Sequence, residues 1–361
     1  MTGKAGTEHR KGNLQAQFEG LIFGAAVGDS VGLPAEGLSP ETIQKLGWGA
    51  WKHRLCFSRG VFSDDTEHLF LVGQSILEAR GDGTRFAICL ARRLRWWLSA
   101  LPPGTGLGTA RALVKSWMGW SPQNSGVYSA GNGPAMRAGL IGCIFQADDA
   151  SVKEWIAHST LITHSDPRAY RGALAIAQVA SMIANQQTID LDRLIPLESD
   201  DEWRDCIHRI KQAVSEGWTL HQFAKEIGCE HGISGYIYHT VPVAIFAILI
   251  HRHTSFEECL ESVWSLGGDV DTVGAVTGAL AGLHFGKNSI PMEWLKGISD
   301  WPLSLATLQR LCAALAAGSK PVKWAWPLLP FRNLIVLMIV LSHGFSRLIP
   351  VSLRRRLKNC V

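Results

Sequence analysis

Glycine recurs at every fourth position in two apolar stretches, Gly20, Gly24, Gly28, Gly32 and then Gly274, Gly278, Gly282, Gly286. Residues four apart share one face of an α-helix, so each ladder is a strip of bare backbone along a helix. Glycine weakens a helix by about 1 kcal/mol per residue relative to alanine. Such helices persist only where another element packs closely enough to offset that loss. The early ladder accompanies Leu14, Phe18, Leu21, Ile22 and Ala25 at helical spacing. It gives way at Gly32-Leu33-Pro34, because proline removes a donor and restricts the residue before it.

Helical periodicity continues across Asp65–Ala79, Arg85–Leu98, Ala110–Trp117, Pro134–Phe145, Val152–Ile162, Pro167–Ile183, Glu202–Ser215, Val241–Ile250, Phe256–Leu266, Thr272–Phe285 and Leu303–Ala317. No clear alternating strand interrupts it, so the expected fold class is all-α. Three segments are expected: a polar N-terminal arm over 1–13, a helical domain over 14–318 and an extension over 319–361. Eight cysteines without a CxxC pair or regular spacing read as reduced, mostly buried thiols of a cytoplasmic protein. The polar N-terminus shows no signal-peptide core. The extension holds eight Lys or Arg and no Asp or Glu, which leaves the rest of the chain at −4. That distribution argues against nucleic acid as a partner.

Two clusters of oxygen ligands lie two hundred residues apart, Ser63-Asp64-Asp65-Thr66-Glu67 and Gly267-Gly268-Asp269-Val270-Asp271-Thr272. Either could simply open a helix, with Ser63 or Asp64 as cap and Glu67 completing a capping box. The shared design favours metal binding, because hard divalent cations take carboxylate and hydroxyl oxygens. Converging, the clusters would form a two-metal centre. Gly131-Asn132-Gly133-Pro134 reads as a glycine turn with Pro134 at the first helical position, suited to an anionic group such as phosphate. In Thr163-His164-Ser165-Asp166-Pro167, Asp166 is the expected cap, and His164 either lines a ligand site or is structural.

Gly24-Ala-Ala-Val-Gly-Asp-Ser, Pro34-Ala-Glu36, Ser63-Asp-Asp-Thr-Glu, Gly131-Asn-Gly-Pro-Ala-Met-Arg, Thr163-His-Ser-Asp-Pro, Gly267-Gly-Asp-Val-Asp-Thr and Gly278-Ala-Leu-Ala-Gly follow one another over residues 14–315. In this order and wording the chain resembles the ADP-ribosylglycohydrolase family, most closely its bacterial, arginine-directed branch. The resemblance implies an all-α fold with two Mg²⁺ or Mn²⁺ ions in a central cleft. Ser63, Asp64, Asp65, Asp269, Asp271 and Thr272 would be ligands. Glu36 would sit beside the metals, its expected role general base or local electrostatic partner, and Asp65 would share the catalytic role. Gly131, Asn132 and Gly133 would hold the diphosphate of ADP-ribose, with His164 lining the same pocket. Ser63 stands where the family usually has threonine, and the loop Gly104-Thr105-Gly106-Leu107-Gly108 lacks an aspartate found nearby in nitrogenase-regulating members.

The expected activity is hydrolysis of the N-glycosidic bond between ADP-ribose and a protein arginine, releasing ADP-ribose. The alternative is a catalytically silent ADP-ribose-binding or partner-blocking module. In the extension, Leu334-Ile-Val-Leu-Met-Ile-Val-Leu341 is apolar all round, which means burial or lipid. The 14 uncharged residues between Arg332 and Arg347 would span about 21 Å as a helix, short of a bilayer core of roughly 30 Å. Docking on the body or a second subunit is one expectation. Peripheral membrane contact through 325–358 is the other.

Overall fold

A computed structural model describes residues 2–48, 50–55, 58–146, 148–195 and 198–348. Among them lie sixteen α-helices: α1 (Thr2–Gly32), α2 (Pro40–Lys45), α3 (Asp64–Ala79), α4 (Gly83–Ser99), α5 (Leu107–Trp117), α6 (Ala138–Ile144), α7 (Asp149–Leu161) and α8 (Pro167–Ala184), followed by α9 (Asp201–Glu216), α10 (Leu220–Glu226), α11 (Ile237–His251), α12 (Phe256–Trp264), α13 (Val270–Phe285), α14 (Met292–Gly297), α15 (Leu305–Ala317) and α16 (Leu329–Leu348). Strand pairing among the described residues is confined to isolated bridges, such as Gly131 with Tyr236. The fold is all-α.

Its centre is the pair α1 and α13, and the two glycine ladders face each other there. A Cβ added at Gly20, Gly24 or Gly28 would collide with the carbonyl oxygen of Gly282, Gly278 or Gly274 in turn. The helices therefore run antiparallel, backbone against backbone. This register sets the end of α1 beside the start of α13, where a Cβ on Gly32 would meet the Val270 carbonyl at 2.8 Å. Gly24→Ala should separate the pair and cost about 1–3 kcal/mol, the usual penalty for overpacking. Urea unfolding of the variant reads this directly, and an unchanged midpoint would show that the contact is not tight.

Other elements depart from the sequence expectation for local reasons. Helix α1 runs from Thr2 through residue 13 to Gly32. Helix α11 begins at Ile237, with Pro242 inside it. The Tyr238 carbonyl, which residue 242 cannot reach without an N–H, lies 3.9 Å from the Cys206 thiol as acceptor. Pro134 opens a 3-10 turn over Ala135–Arg137, and α6 starts only at Ala138. Asp166 caps α8 as its spacing suggested, accepting from the Arg168 N–H at 2.9 Å.

The cysteines Cys89, Cys143, Cys206, Cys229, Cys259 and Cys312 are free and buried. Cys56 and Cys360 lie outside the described residues, as do Arg354, Arg355, Arg356 and Lys358. No helix among the described residues is long and apolar enough to cross a membrane. The extension docks on the body: Leu329, Arg332, Asn333 and Val336 of α16 are buried.

Candidate metal centre and binding cleft

Three chain segments meet where α1 ends. Asp29, near the end of α1, is fully buried, and its carboxylate accepts from the Ser63 N–H at 3.0 Å and the Thr66 N–H at 3.3 Å. It also accepts from the Thr66 hydroxyl. An anion at a helix N-terminus satisfies donors that the helix leaves open, so Asp29 pins the first turn of α3. Ser63 is the cap of that helix, accepting from the Asp65 N–H at 3.2 Å. Glu67 does not complete a capping box. It turns inward, accepts from the Trp97 indole N–H at 2.5 Å and pairs with Arg332 at 3.1 Å.

The second acidic corner is threaded between two loops. Gly267 and Gly268 adopt φ of 71° and 81°, which side chains other than glycine rarely tolerate. The Gly268 N–H donates to the Leu38 carbonyl and its carbonyl accepts from Gly37, both at 2.8 Å. The Asp269 N–H donates to the Ile233 carbonyl at 2.7 Å. Asp269 then begins α13, with Asp271 and Thr272 in its first turn.

The two corners touch. Asp65 Oδ2 accepts from the Ser63 hydroxyl at 3.0 Å and from the Thr272 hydroxyl at 3.2 Å, across 207 residues of sequence. Asp64, Asp269, Asp271, Thr272, Ser63 and Glu36 line one cleft of about 530 Å³, within the usual range for small-molecule sites. Asp65 stands behind this wall, almost fully buried.

Burial pushes the carboxyls of Asp64, Asp65 and Asp271 well above the usual carboxylate range, and neighbouring acids push them further. For Asp271 the chief neighbour is Glu36, followed by Asp269 and Asp65. Burial likewise raises Asp29 to about 7. So many desolvated like charges are costly unless a cation neutralises them.

Two observations bear on a metal. Asp65 Oδ1 and Asp271 Oδ1 are buried without any hydrogen-bond partner, and the available donors are all hard oxygens, as Mg²⁺ or Mn²⁺ require. No three Asp, Glu, His or Cys side chains among the described residues converge in a metal-holding group. Several carboxylate oxygens are instead engaged by the protein, including Asp65 Oδ2 and also Asp269 Oδ2, which accepts from Asn132 Nδ2 at 2.7 Å. Hydroxyl and amide donors can rotate away, whereas a buried unpaired carboxylate oxygen needs a partner, so the donor set fits a hard cation.

Gly131, Asn132, Gly133 and His164 line the same cleft. The Asn132 amide bridges Asp269 and the Thr240 hydroxyl, at 2.7 and 2.9 Å, and its backbone N–H donates to the Gly235 carbonyl at 2.9 Å. Asn132 thereby ties the glycine turn to the acidic corner. The His164 ring lies under Gly131, Gly133 and Gly108, each of which would bring a Cβ to within 3.3 Å of it. Burial and then Arg137 push its pKa down to about 3, so the imidazole is neutral. Arg137 is itself wholly buried, donating to the Gly133 carbonyl at 3.2 Å, the Ser159 carbonyl at 2.9 Å and the Thr163 hydroxyl at 2.8 Å.

Several functional residues escaped the sequence reading. Asp29 was visible as a lone acid in a glycine-alanine helix, and its place in the Gly-Asp-Ser wording carried no assigned role. Asp300 and Arg332 were not visible. Arg332 Nη2 donates to the Phe62 carbonyl at 2.6 Å and to Asp300 at 2.5 Å, while Asp300 accepts from the Phe62 N–H at 2.7 Å. The peptide immediately before Ser63 is thus clamped by the extension. Burial opposes the Arg332 charge, yet Glu67 and Asp300 outweigh it and hold the guanidinium firmly protonated. Val336 and Val340 of α16 also line the cleft, as does a loop of Pro103, Gly104, Gly106 and Leu107 that carries no carboxylate.

Known proteins resemble this chain in sequence and in fold. A sequence model of the family described as ADP-ribosylglycohydrolase matches residues 10–323. ADP-ribosylhydrolase ARH3 of Danio rerio is 27% identical over 330 residues, covering 78% of this chain and 86% of that protein. ADP-ribosyl-[dinitrogen reductase] glycohydrolase of Rhodospirillum rubrum is 26% identical over 287 residues, covering 76% of this chain and 88% of that protein. A solved structure titled ADP-ribosylglycohydrolase-related protein complex superposes with a TM-score of 0.60 at 24% identity, covering 85% of this chain and 99% of its own.

Proposed function

Because the chain belongs to the ADP-ribosylglycohydrolase family, whose chemistry is hydrolysis of ADP-ribose linkages, we propose that it is an enzyme removing ADP-ribose from an arginine side chain of a modified protein with the help of two divalent cations. The observation that carries this reading is the meeting of Ser63-Asp64 and Asp269-Asp271-Thr272 in one cleft with the glycine turn 131–133, with Asp65 joining the two corners behind its wall.

Ser63, Asp64, Asp65, Asp269, Asp271 and Thr272 would hold Mg²⁺ or Mn²⁺, two of them through oxygens that lack any protein partner. What the cations supply, when bound, is Lewis acidity toward ribose hydroxyls and a lowered pKa for a water molecule. Glu36 is exposed at the cleft wall and close enough to Asp271 to perturb it. It is placed to take a proton from the attacking water as the anomeric carbon gains oxocarbenium character. The water oxygen bonds to that carbon, the carbon–nitrogen bond breaks, and the proton reaches the departing guanidine. Gly131 and Gly133 let the diphosphate approach the backbone, and neutral His164 shapes the floor beneath them. Binding so far from the reacting bond contributes positioning.

Similarity does not choose the linkage, since the two named relatives are almost equally close. Charge favours arginine: Glu36, which stands outside the proposed ligand set, suits a cationic guanidinium better than the neutral O-glycosidic linkage of a serine. The buried free thiols support a reducing compartment, the cytoplasm.

Purified protein incubated with arginine- and serine-linked ADP-ribosylated proteins, with Mg²⁺ or Mn²⁺ and with a chelator, tests this. Release of ADP-ribose from the arginine linkage, abolished by chelation, is expected. Release from serine alone would overturn the linkage, and binding without release would make the chain the silent module.

A further inference from the structure

The buried side of α16 accounts for its docking, but its other side is just as apolar. Phe331, Leu334, Ile335, Met338 and Leu341 recur at helical spacing and are exposed, from 46% at Leu341 to 65% at Phe331. The exposed surface continues onto α4 and α5. Trp326 meets Trp96 at a ring separation of 5.9 Å, and Trp96 meets Trp117 at 5.2 Å. Cations cover the far rings, Arg95 at 5.6 Å from Trp117 and Lys115 at 4.5 Å from Trp120. Water-exposed apolar surface of this extent marks a binding face.

Charge identifies the occupant. Residues 83–120 contain six Lys or Arg and no Asp or Glu, and residues 301–361 contain nine and none. Ion pairs take up three of these arginines, Arg92 and Arg93 with Glu78, and Arg332 with Glu67 and Asp300, and the remaining cations of both segments meet no acid within them. A second copy meeting this face about a twofold axis would set the same cationic segments against each other. An anionic lipid surface complements them, with tryptophan at headgroup depth and leucine, isoleucine and methionine in the acyl boundary.

We propose that the outer face of α16, with the tryptophan rim of α4 and α5, attaches this protein to the surface of an anionic bilayer. The attachment is peripheral, since no described helix can cross. The cleft then lies close to the lipid surface, because Val336 and Val340 of the same helix line it.

The test is sedimentation of the full chain with phosphatidylcholine vesicles, with and without phosphatidylglycerol. A triple variant, Leu334→Glu, Met338→Glu and Leu341→Glu, is measured beside it. These side chains are exposed, so the variant should keep the thermal midpoint and the ADP-ribose-releasing activity of the parent. The parent should pellet with anionic vesicles and be released by salt. The variant should bind at least about a hundredfold more weakly, from three lost apolar insertions and three added like charges. A parent that stays in the supernatant overturns the proposal. So does equal binding by the variant, or a parent dimer that the variant abolishes while vesicles recruit neither.

Discussion

Asp271→Asn is expected to lower kcat/KM for ADP-ribose release on the order of a thousandfold, beyond the roughly ten- to hundredfold typical of losing an outer supporting group. The substitution keeps the shape of the side chain and removes its charge. Asp271 brings to the cleft a buried oxygen without a protein partner, beside Glu36, Asp269 and Asp65. If that oxygen is a metal ligand, calorimetric titration with Mn²⁺ should show weakened or halved binding independently of turnover. Removing one of several crowded carboxylates should also raise the thermal midpoint in chelator, since like charges in a desolvated site oppose folding. Parental activity in Asp271→Asn would dismantle the proposed centre, whatever the protein's substrate.

Arg332→Ala is expected to cost about 3–5 kcal/mol, because it leaves Glu67 and Asp300 buried without their cation. The side chains at this triad are at most 5% exposed, so solvent screening offers little relief. The loss should reach the site as well. Arg332 and Asp300 hold the carbonyl and the N–H of Phe62, one residue before Ser63. Activity measured well below the melting transition should therefore fall too, while Arg332→Lys keeps the charge but not the fork that grips two acceptors at once. Urea unfolding of Arg332→Ala, Glu67→Gln and the double variant would report the coupling energy. A stability loss below about 1 kcal/mol, the range of exposed pairs, would remove the clamp from the account.

Much of the site was written in short strings. The acidic corners announce themselves because consecutive carboxylates and hydroxyls at a helix start are a local pattern, and the glycine ladders because spacing along a helix is local too. Asp166 as a cap and the all-α class were legible for the same reason. Glu67 was not: its spacing fits a capping box, yet a buried cation from the far end of the chain claimed it. Asn132 reads as part of an anion-binding turn, and the bond by which its side chain joins that turn to Asp269 was not legible. The extension read as an appendage, and it supplies a clamp on the first acidic corner and part of the cleft wall.

By itself the sequence determined the all-α class, the course of most of the longer helices, which segments cluster carboxylates and hydroxyls, and which cannot be stable without a close neighbour; the short helices α2, α10 and α14 were not legible in it. Only the tertiary structure decided that the two ladders pair with each other, antiparallel and in register. That register carries Asp29 to the Ser63 corner and Thr272 to Asp65. The reason is steric. Helical periodicity depends on neighbours three and four residues away, whereas the fit of one backbone against another depends on which distant strip is equally bare.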